Sequence, residues 1–240
     1  MADQHAFQEI ERAGTSSAPA AVDVGLRAYM LRVYNYMAGG LALTGVVAYV
    51  GVASGFYASV VGTPLFWVIL FAPLALVMLL SFRIKTMSLG AAQLSFWAYA
   101  GLVGLSLSGI FIVYTGQSIA RVFFISAATF AATGFYGYTT RTDLTRFGSF
   151  LFMGLIGIVI AGVVNIFMAS PALQFAISLI GVILFVGLTA YDTQRIREIY
   201  LAGEGDVIAG KKAIMGALAL YLDFLNLFLL LMQLFGDRRR

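Results

Sequence analysis

Two aspartates in strongly apolar surroundings are the residues of this chain best placed to do chemistry. Asp223 is the only charged residue in an apolar run over residues 213–235, and Asp192 closes the apolar run before it. Asp223 lies about ten residues beyond Lys212, which at ~1.5 Å per helical residue places it ~15 Å deep in a bilayer. A carboxylate there costs roughly 2.5–3.5 kcal/mol. We therefore expect Asp223 to face a partner, a cavity or a proton rather than lipid.

The spacing of the neighbouring polar residues extends this site. Asn226 lies three residues after Asp223 and shares its helix face. If the last two apolar runs are neighbouring helices, Asp192 and Asp223 border one inward-facing vestibule. Carboxylate oxygens are ligands that Ca²⁺ prefers, and two carboxyl groups can equally hold a proton between them and titrate as one pair. An arginine on the same membrane side, Arg83, is expected to neutralise them in a closed state.

The composition indicates a polytopic membrane protein. Of the 240 residues, 61% are hydrophobic and 11% are charged, whereas a soluble domain carries about 25% charged residues. The chain has no cysteine, and its one histidine, His5, lies in a polar N-terminal stretch. Disulfides, thiol nucleophiles and histidine- or thiolate-based metal sites are therefore excluded. We attribute the basic pI to loops beside the membrane and expect no nucleic-acid partner.

Seven apolar runs are long enough to cross a bilayer as helices. They cover approximately residues 33–53, 65–82, 88–114, 122–138, 147–168, 172–191 and 213–235. They predict an all-α fold, a seven-transmembrane-helix bundle over residues 27–236. A mobile polar tail is predicted over residues 1–26 and a basic tail over residues 237–240. In the third run, Ala100, Gly104 and Ser108 recur every four residues, which is typical of a close helix-packing face.

The basic residues between the runs predict the orientation of the chain. With a cytoplasmic N-terminus, the outer links hold Arg121 alone before the C-terminal tail. The inner segments then hold ten basic residues: Arg27, Arg32, Arg83, Lys85, Arg141, Arg146, Arg195, Arg197, Lys211 and Lys212. The positive-inside rule therefore favours a cytoplasmic N-terminus. Seven full spans place the C-terminus outside, whereas a re-entrant last segment would leave both termini inside; the length of the last run favours seven spans.

Enzymatic interpretations find little support in the sequence. A retinal pigment needs a lysine inside its last helix, and Lys85, Lys211 and Lys212 all lie at the ends of the runs. An intramembrane aspartyl protease needs two carboxylates that share a proton on adjacent helices. Asp192, however, has no Gly-rich segment after it, and because it closes its apolar run we expect it to lie at a helix end. We expect no enzymatic activity and no bound cofactor.

Two segments of the chain resemble the signature of a known family. Residues 189–194 (TAYDTQ) and residues 220–228 (LYLDFLNLF) are similar to the paired motifs of the Bax inhibitor-1 family, also called transmembrane Bax-inhibitor-motif proteins. Residues 120–167 are similar to the bacterial branch of that family. The resemblance therefore covers roughly residues 27–235.

The resemblance implies a structure and a function. It implies a seven-helix fold with the last helix central, in a bacterial inner membrane, and a pH-sensitive Ca²⁺ leak gated by an aspartate pair. That pair corresponds to Asp192 and Asp223, with Ca²⁺ as the permeant ion. The family's basic gating residue, at the inner end of the second helix, corresponds to Arg83, with Lys85 as the alternative. A membrane-embedded regulator that binds another membrane protein, such as a protease, and a cation–proton exchanger remain alternatives.

Overall fold

The computed structural model describes the backbone of residues 2–239 and the side chains of residues 24–239. Within these residues the chain forms nine α-helices: α1 (Ala2–Ala53), α2 (Phe56–Val60), α3 (Pro64–Arg83), α4 (Leu89–Leu107), α5 (Ile110–Val113), α6 (Gly116–Thr139), α7 (Thr145–Met168), α8 (Pro171–Glu198) and α9 (Asp206–Phe235). Seven segments are long and apolar enough to cross a membrane: Val24–Ala53, Leu89–Val113, and the whole of α3, α6, α7, α8 and α9. The predicted all-α polytopic architecture is confirmed.

The predicted N-terminal tail falls mostly outside this description. Of residues 1–26, the side chains of residues 1–23 are not described. The mobility of the tail therefore stays a prediction.

The last helix lies at the centre of the bundle, as expected. α9 packs against α1, α4, α6 and α8. In its most apolar stretch 72% of the residues are buried, compared with 39% or less in each of the other six spans. α3 packs against α4, and α7 packs against α8. Because four helices surround it, α9 acts as the core of the fold.

Small residues allow two pairs of helices to approach closely. A Cβ atom added to Gly104 of α4 would lie 2.7 Å from the backbone oxygen of Thr44 in α1. A Cβ atom added to Gly137 of α6 would overlap the backbone of Ala190 in α8. Ala100 and Gly104 are both buried. The predicted packing face of the third span is therefore confirmed, and α1 is the helix that packs against it.

Polar contacts at the beginning of α9 define one end of the bundle. Lys211 Nζ donates a hydrogen bond of 3.2 Å to the backbone oxygen of Lys85, just after α3. We call this the Lys85 end. Lys212 Nζ forms an ion pair of 2.5 Å with Glu204 in the loop before α9. The α8–α9 loop and the α3–α4 link therefore lie at the same end.

The C-terminal residues are fixed at the opposite end, which we call the C-terminal end. The amide of Asp237 donates to Ser118 Oγ at 2.8 Å, and the amide of Arg239 donates to the backbone oxygen of Val113 at 2.9 Å. Arg121 forms an ion pair of 3.0 Å with Asp237. Because α4 and α5 separate Val113 from the Lys85 end, α9 runs the whole length of the bundle. This arrangement favours a complete seventh crossing over a re-entrant segment.

The seven crossings predict that the two termini lie on opposite sides of the membrane. Because the natural chain contains no cysteine, Ala2→Cys and Arg240→Cys each provide a single reactive thiol. In sealed vesicles, an impermeant thiol reagent should label the two variants from opposite faces. Arg141→Cys, in the α6–α7 link at the Lys85 end, should be labelled from the same face as Ala2→Cys. Labelling of both termini from one face would show that the seven-span topology is wrong.

Candidate functional site

Helix α8 continues past Asp192 to Glu198, so the expectation that Asp192 lies at a helix end is wrong. The helix continues because polar groups after Asp192 find partners inside the bundle. The amide of Leu144 donates to Gln194 Oε1 at 2.8 Å, and Gln194 Nε2 donates to the backbone oxygen of Thr142 at 2.8 Å. Gln194 is buried by these contacts with the α6–α7 link. Asp192 therefore projects from the body of a helix, nearly two turns before its end.

A hydrogen bond from α9 to α1, continued by a second bond from α1 to α4, fixes the rotation of α9. Tyr221 is fully buried, and its hydroxyl lies 2.6 Å from Thr44 Oγ1. Thr44 Oγ1 in turn donates to the backbone oxygen of Ala100 at 2.9 Å, so Tyr221 is the donor to Thr44. Asp223 lies two residues after Tyr221. Because successive residues are about 100° apart around a helix, Asp223 projects about 200° away from this contact. Asp223 therefore points to the side of α9 where α8 lies.

The structure brings Asp192 and Asp223 together. Both side chains line one cleft, where the charges of the two carboxyl groups act on each other. The side chain of Asp223 is 5% exposed, and its Oδ2 atom is buried with no hydrogen-bond partner among the described residues. A buried polar atom without a partner requires an explanation. A proton or a cation held between the two carboxyl groups would satisfy it.

The pair lines an open cleft of about 580 Å³ between α7, α8 and α9. The polar part of its lining consists of Ser149, Tyr191, Asp192, Arg195, Asp223 and Asn226. Asn226 Nδ2 donates to the backbone oxygen of Leu222 at 2.8 Å, which anchors the amide at the wall of the cleft. The predicted neighbour of Asp223 therefore does lie beside it. Apolar side chains of α7 and α8 form the remaining walls.

Arg195 is the basic residue in this cleft, and the sequence analysis did not assign it a role. It lies three residues after Asp192 on α8, which places both side chains on one helix face. Its charge acts on the carboxyl group of Asp192. The signal in the sequence is this three-residue spacing on one helix.

Arg83 and Lys85 lie outside the cleft in this conformation. Arg83 is exposed at the end of α3, a helix that packs against α4 rather than α8. Among the described side chains Arg83 takes part in no ion pair. The role of Arg83 as a gating partner therefore stays a prediction, and it requires a conformation in which α3 has moved.

The cleft offers a cation few fixed ligands. Within the described residues no group of three or more His, Cys, Asp or Glu side chains is placed to hold a metal ion. Ca²⁺ takes six to eight oxygen ligands. Asp192, Asp223 and the carbonyl group of Asn226 supply part of such a set, so water would have to supply the remainder. This donor set suits a cation in passage better than a resident one.

Comparison with known proteins places the whole site within one family. The model of the family described as inhibitor of apoptosis-promoting Bax1 matches residues 26–240, which include α3, both aspartates and the cleft. The chain belongs to the Bax inhibitor-1 family. The resemblance inferred from the two aspartate motifs is thereby confirmed.

Bacterial relatives of this Bax inhibitor-1 family member match it over nearly their full length. It is 49% identical over 226 residues to the uncharacterized protein RP147 of Rickettsia prowazekii, covering 94% of this chain and 96% of the relative. It is 47% identical over 219 residues to the inner membrane protein YbhL of Escherichia coli K12, covering 90% of this chain and 94% of the relative. It is 34% identical to the membrane protein SpyM3_0260 of Streptococcus pyogenes, covering 89% of this chain and 94% of the relative.

The stability of this family member should depend on the Tyr221 hydroxyl, which holds the helix that carries Asp223. Tyr221→Phe removes a buried donor to Thr44, and we expect it to cost about 1 kcal/mol of unfolding free energy. Tyr49→Phe makes the same chemical change at a side chain that is 61% exposed and should have no effect. Thermal unfolding of the purified proteins in detergent measures both. Equal melting temperatures for Tyr221→Phe and the wild type would show that this hydrogen bond does not hold α9.

Proposed function

We propose that this membrane protein is a pH-sensitive cation leak for Ca²⁺, controlled by the Asp192–Asp223 pair. One observation carries the proposal. The Oδ2 atom of Asp223 is buried on the central helix of the bundle and has no hydrogen-bond partner among the described residues. Ionisable residues inside a membrane are costly and commonly mark ion or proton pathways. A second carboxyl group beside it and an open cleft of about 580 Å³ support the same function.

Proton binding by the pair supplies the pH sensitivity. Two bare charges side by side in low-dielectric surroundings are disfavoured, so the two carboxyl groups share a proton. They then titrate together, and a change through weakly acidic pH alters the net charge of the pair by one. That change alters the contact between α8 and α9 and the attraction between the pair and a nearby arginine. A local charge change of this kind can shift the balance between a closed and an open arrangement of the helices.

The permeant ion in this proposal is Ca²⁺, and no covalent step or bound cofactor takes part. Carboxylate oxygens and an amide carbonyl are hard ligands that suit Ca²⁺. Because the cleft is open, a cation bound by Asp192 and Asp223 can keep part of its water shell. Weak and partial coordination is what conduction requires, since a tightly held ion would not leave.

We further propose that the protein lies in a bacterial inner membrane with its N-terminus in the cytoplasm. The relative from Escherichia coli is named an inner membrane protein, and the basic residues of the chain concentrate at the Lys85 end. By the positive-inside rule that end is cytoplasmic. The aspartate cleft, near the end of α8, would then open toward the cytoplasm.

The pH dependence of Ca²⁺ flux tests this proposal directly. When the pair carries more negative charge, its attraction to a basic residue stabilises the closed state. Proton uptake by the pair weakens that attraction, so flux should rise as pH falls from 8 to 6. An attraction of about 1 kcal/mol gives a change of about fivefold. Asp223→Asn and Asp192→Asn should each largely abolish the pH dependence, and the double variant should add little because the two residues form one network.

The measurement is Ca²⁺ entry into proteoliposomes across pH 6 to 8. Asp143→Asn, at an exposed aspartate in the α6–α7 link, is the matched control and should retain the wild-type profile. A wild-type-like profile in Asp223→Asn would end the proposal of an aspartate pair. A wild-type protein that passes no ion would instead favour a regulator that acts by binding another membrane protein.

The identity of the basic gating residue can be tested by flux at pH 8. If Arg83 restrains the closed state, Arg83→Ala should raise the basal leak severalfold, because the charged pair loses its counter-charge. Arg141→Ala removes an exposed arginine from the α6–α7 link and should change nothing. An unchanged leak in Arg83→Ala together with an increased leak in Arg195→Ala would assign the role to the arginine that lines the cleft.

A further inference from the structure

A second polar pocket lies on the same three helices as the aspartate cleft, at the C-terminal end. Asn165 of α7 donates to Gln174 of α8 at 2.9 Å, and Gln174 donates to Gln233 of α9 at 2.5 Å. Ser178 of α8 donates to Gln233 at 2.8 Å. These four side chains line a cavity of about 420 Å³, and Ser178 is 1% exposed. We call this set of four residues the outer polar pocket.

The outer polar pocket and the aspartate cleft lie on a single stripe of α9. Asp223, Asn226, Leu230 and Gln233 are spaced by three, four and three residues, so they project from one side of the helix. Three of the four are polar, and Leu230 is the one apolar member. The stripe thus carries polar groups from the middle of the membrane to its outer end with one interruption.

Helix α8 presents a matching stripe. Asp192 and Ser178 are fourteen residues apart, close to four helical turns, and therefore lie on the same side of α8. Gly181 lies on this side between them, one turn from Ser178. The two stripes face one groove, in which the outer polar pocket and the aspartate cleft are successive openings.

A single apolar layer separates the two openings. A Cβ atom added to Gly181 would lie 2.8 Å from Leu230 Cδ1 and 3.5 Å from Ile158 Cδ1, so the side chains of α9 and α7 meet over this glycine. Leu230 is 9% exposed. We call Ile158, Gly181 and Leu230 the apolar layer. Because Gly181 has no side chain, the tip of Leu230 fills the space beside α8.

We propose that the groove between α7, α8 and α9 is the ion path and that the apolar layer is its closed gate. This proposal rests on the proposed cation leak and names the route and the barrier within it. Hydrophobic constrictions stop ions by excluding water. The amide and hydroxyl oxygens of the outer polar pocket are hard ligands for a partly hydrated cation. Arg238 also lines this opening, so the pocket passes a hydrated cation rather than holding it.

Helix α7 is the outermost wall of the groove. It packs against α8, and its most apolar stretch contains no buried residue. A Cβ atom added to Gly154 of α7 would lie 2.7 Å from Leu184 of α8, so the two helices approach closely there. A small displacement of α7 would withdraw Ile158 from the apolar layer. Opening then needs no rearrangement of the buried helix α9.

A polar substitution in the apolar layer tests the gate. Leu230→Ser should let water enter the layer and raise Ca²⁺ flux into proteoliposomes at pH 8 at least fivefold, with a weaker pH dependence. Leu179→Ser, at a leucine of α8 that is 46% exposed outside the groove, is the matched control and should behave as the wild type. Wild-type flux in Leu230→Ser would overturn the gate but leave the proposed leak intact, whereas a wild type without flux would refute the leak itself.

Thiol accessibility in two single variants tests the route without relying on flux or on the folding of Leu230→Ser. In the cysteine-free chain, Ser149→Cys places a thiol in the aspartate cleft and Gln174→Cys places one at a half-buried position of the outer polar pocket. A small impermeant cationic methanethiosulfonate should modify Ser149→Cys from one face of sealed vesicles only and Gln174→Cys from the other only. Gln174→Cys that stays unreactive from both faces, or reacts from the same face as Ser149→Cys, would overturn the proposed path.

Discussion

The cost of keeping the Asp223 carboxyl group in the middle of a buried helix is the constraint on which the rest of the structure depends. In lipid that cost is roughly 2.5–3.5 kcal/mol, and a buried carboxyl oxygen without a partner adds to it. The protein meets this cost with Asp192 on the neighbouring helix and with an open cleft beside both residues. The proposed role of the pair in ion conduction accounts for a carboxyl group at this position.

The fold holds this costly group in position by rigid contacts on the opposite side of α9. The hydroxyl of Tyr221 and that of Thr44 join α9 to α1 and α4, and Gly104 brings the backbones of α1 and α4 close together. Helices α3 and α7 lie at the periphery, where α3 packs against α4 and α7 packs against α8. The central helix is therefore held from the side of α1 and α4, while the side that carries Asp223 borders an open cleft.

The spans could be predicted from the sequence because they depend on local patterns. Apolar runs of about twenty residues report helices directly, and the intramembrane position of Asp223 follows from its distance to Lys212. The pairing of Asp223 with Asp192 depends on which helices are neighbours, and the resemblance to the family implied it. The position of Arg83 depends on the same information: α3 packs against α4, so Arg195 is the arginine at the cleft. The extension of α8 was missed because the partners of Gln194 come from a link about fifty residues away.

The sharing of one proton by Asp192 and Asp223 is the central claim, and infrared spectroscopy of the protein in bilayers measures it most directly. The carbonyl stretch of a protonated carboxyl group is separate from that of a carboxylate, and isotope-labelled aspartate identifies it. The account predicts one protonated carboxyl group per protein that titrates in a single step, with its band shifted or lost in both Asp192→Asn and Asp223→Asn. Two aspartates that titrate independently, or a band unchanged in Asp192→Asn, would contradict it.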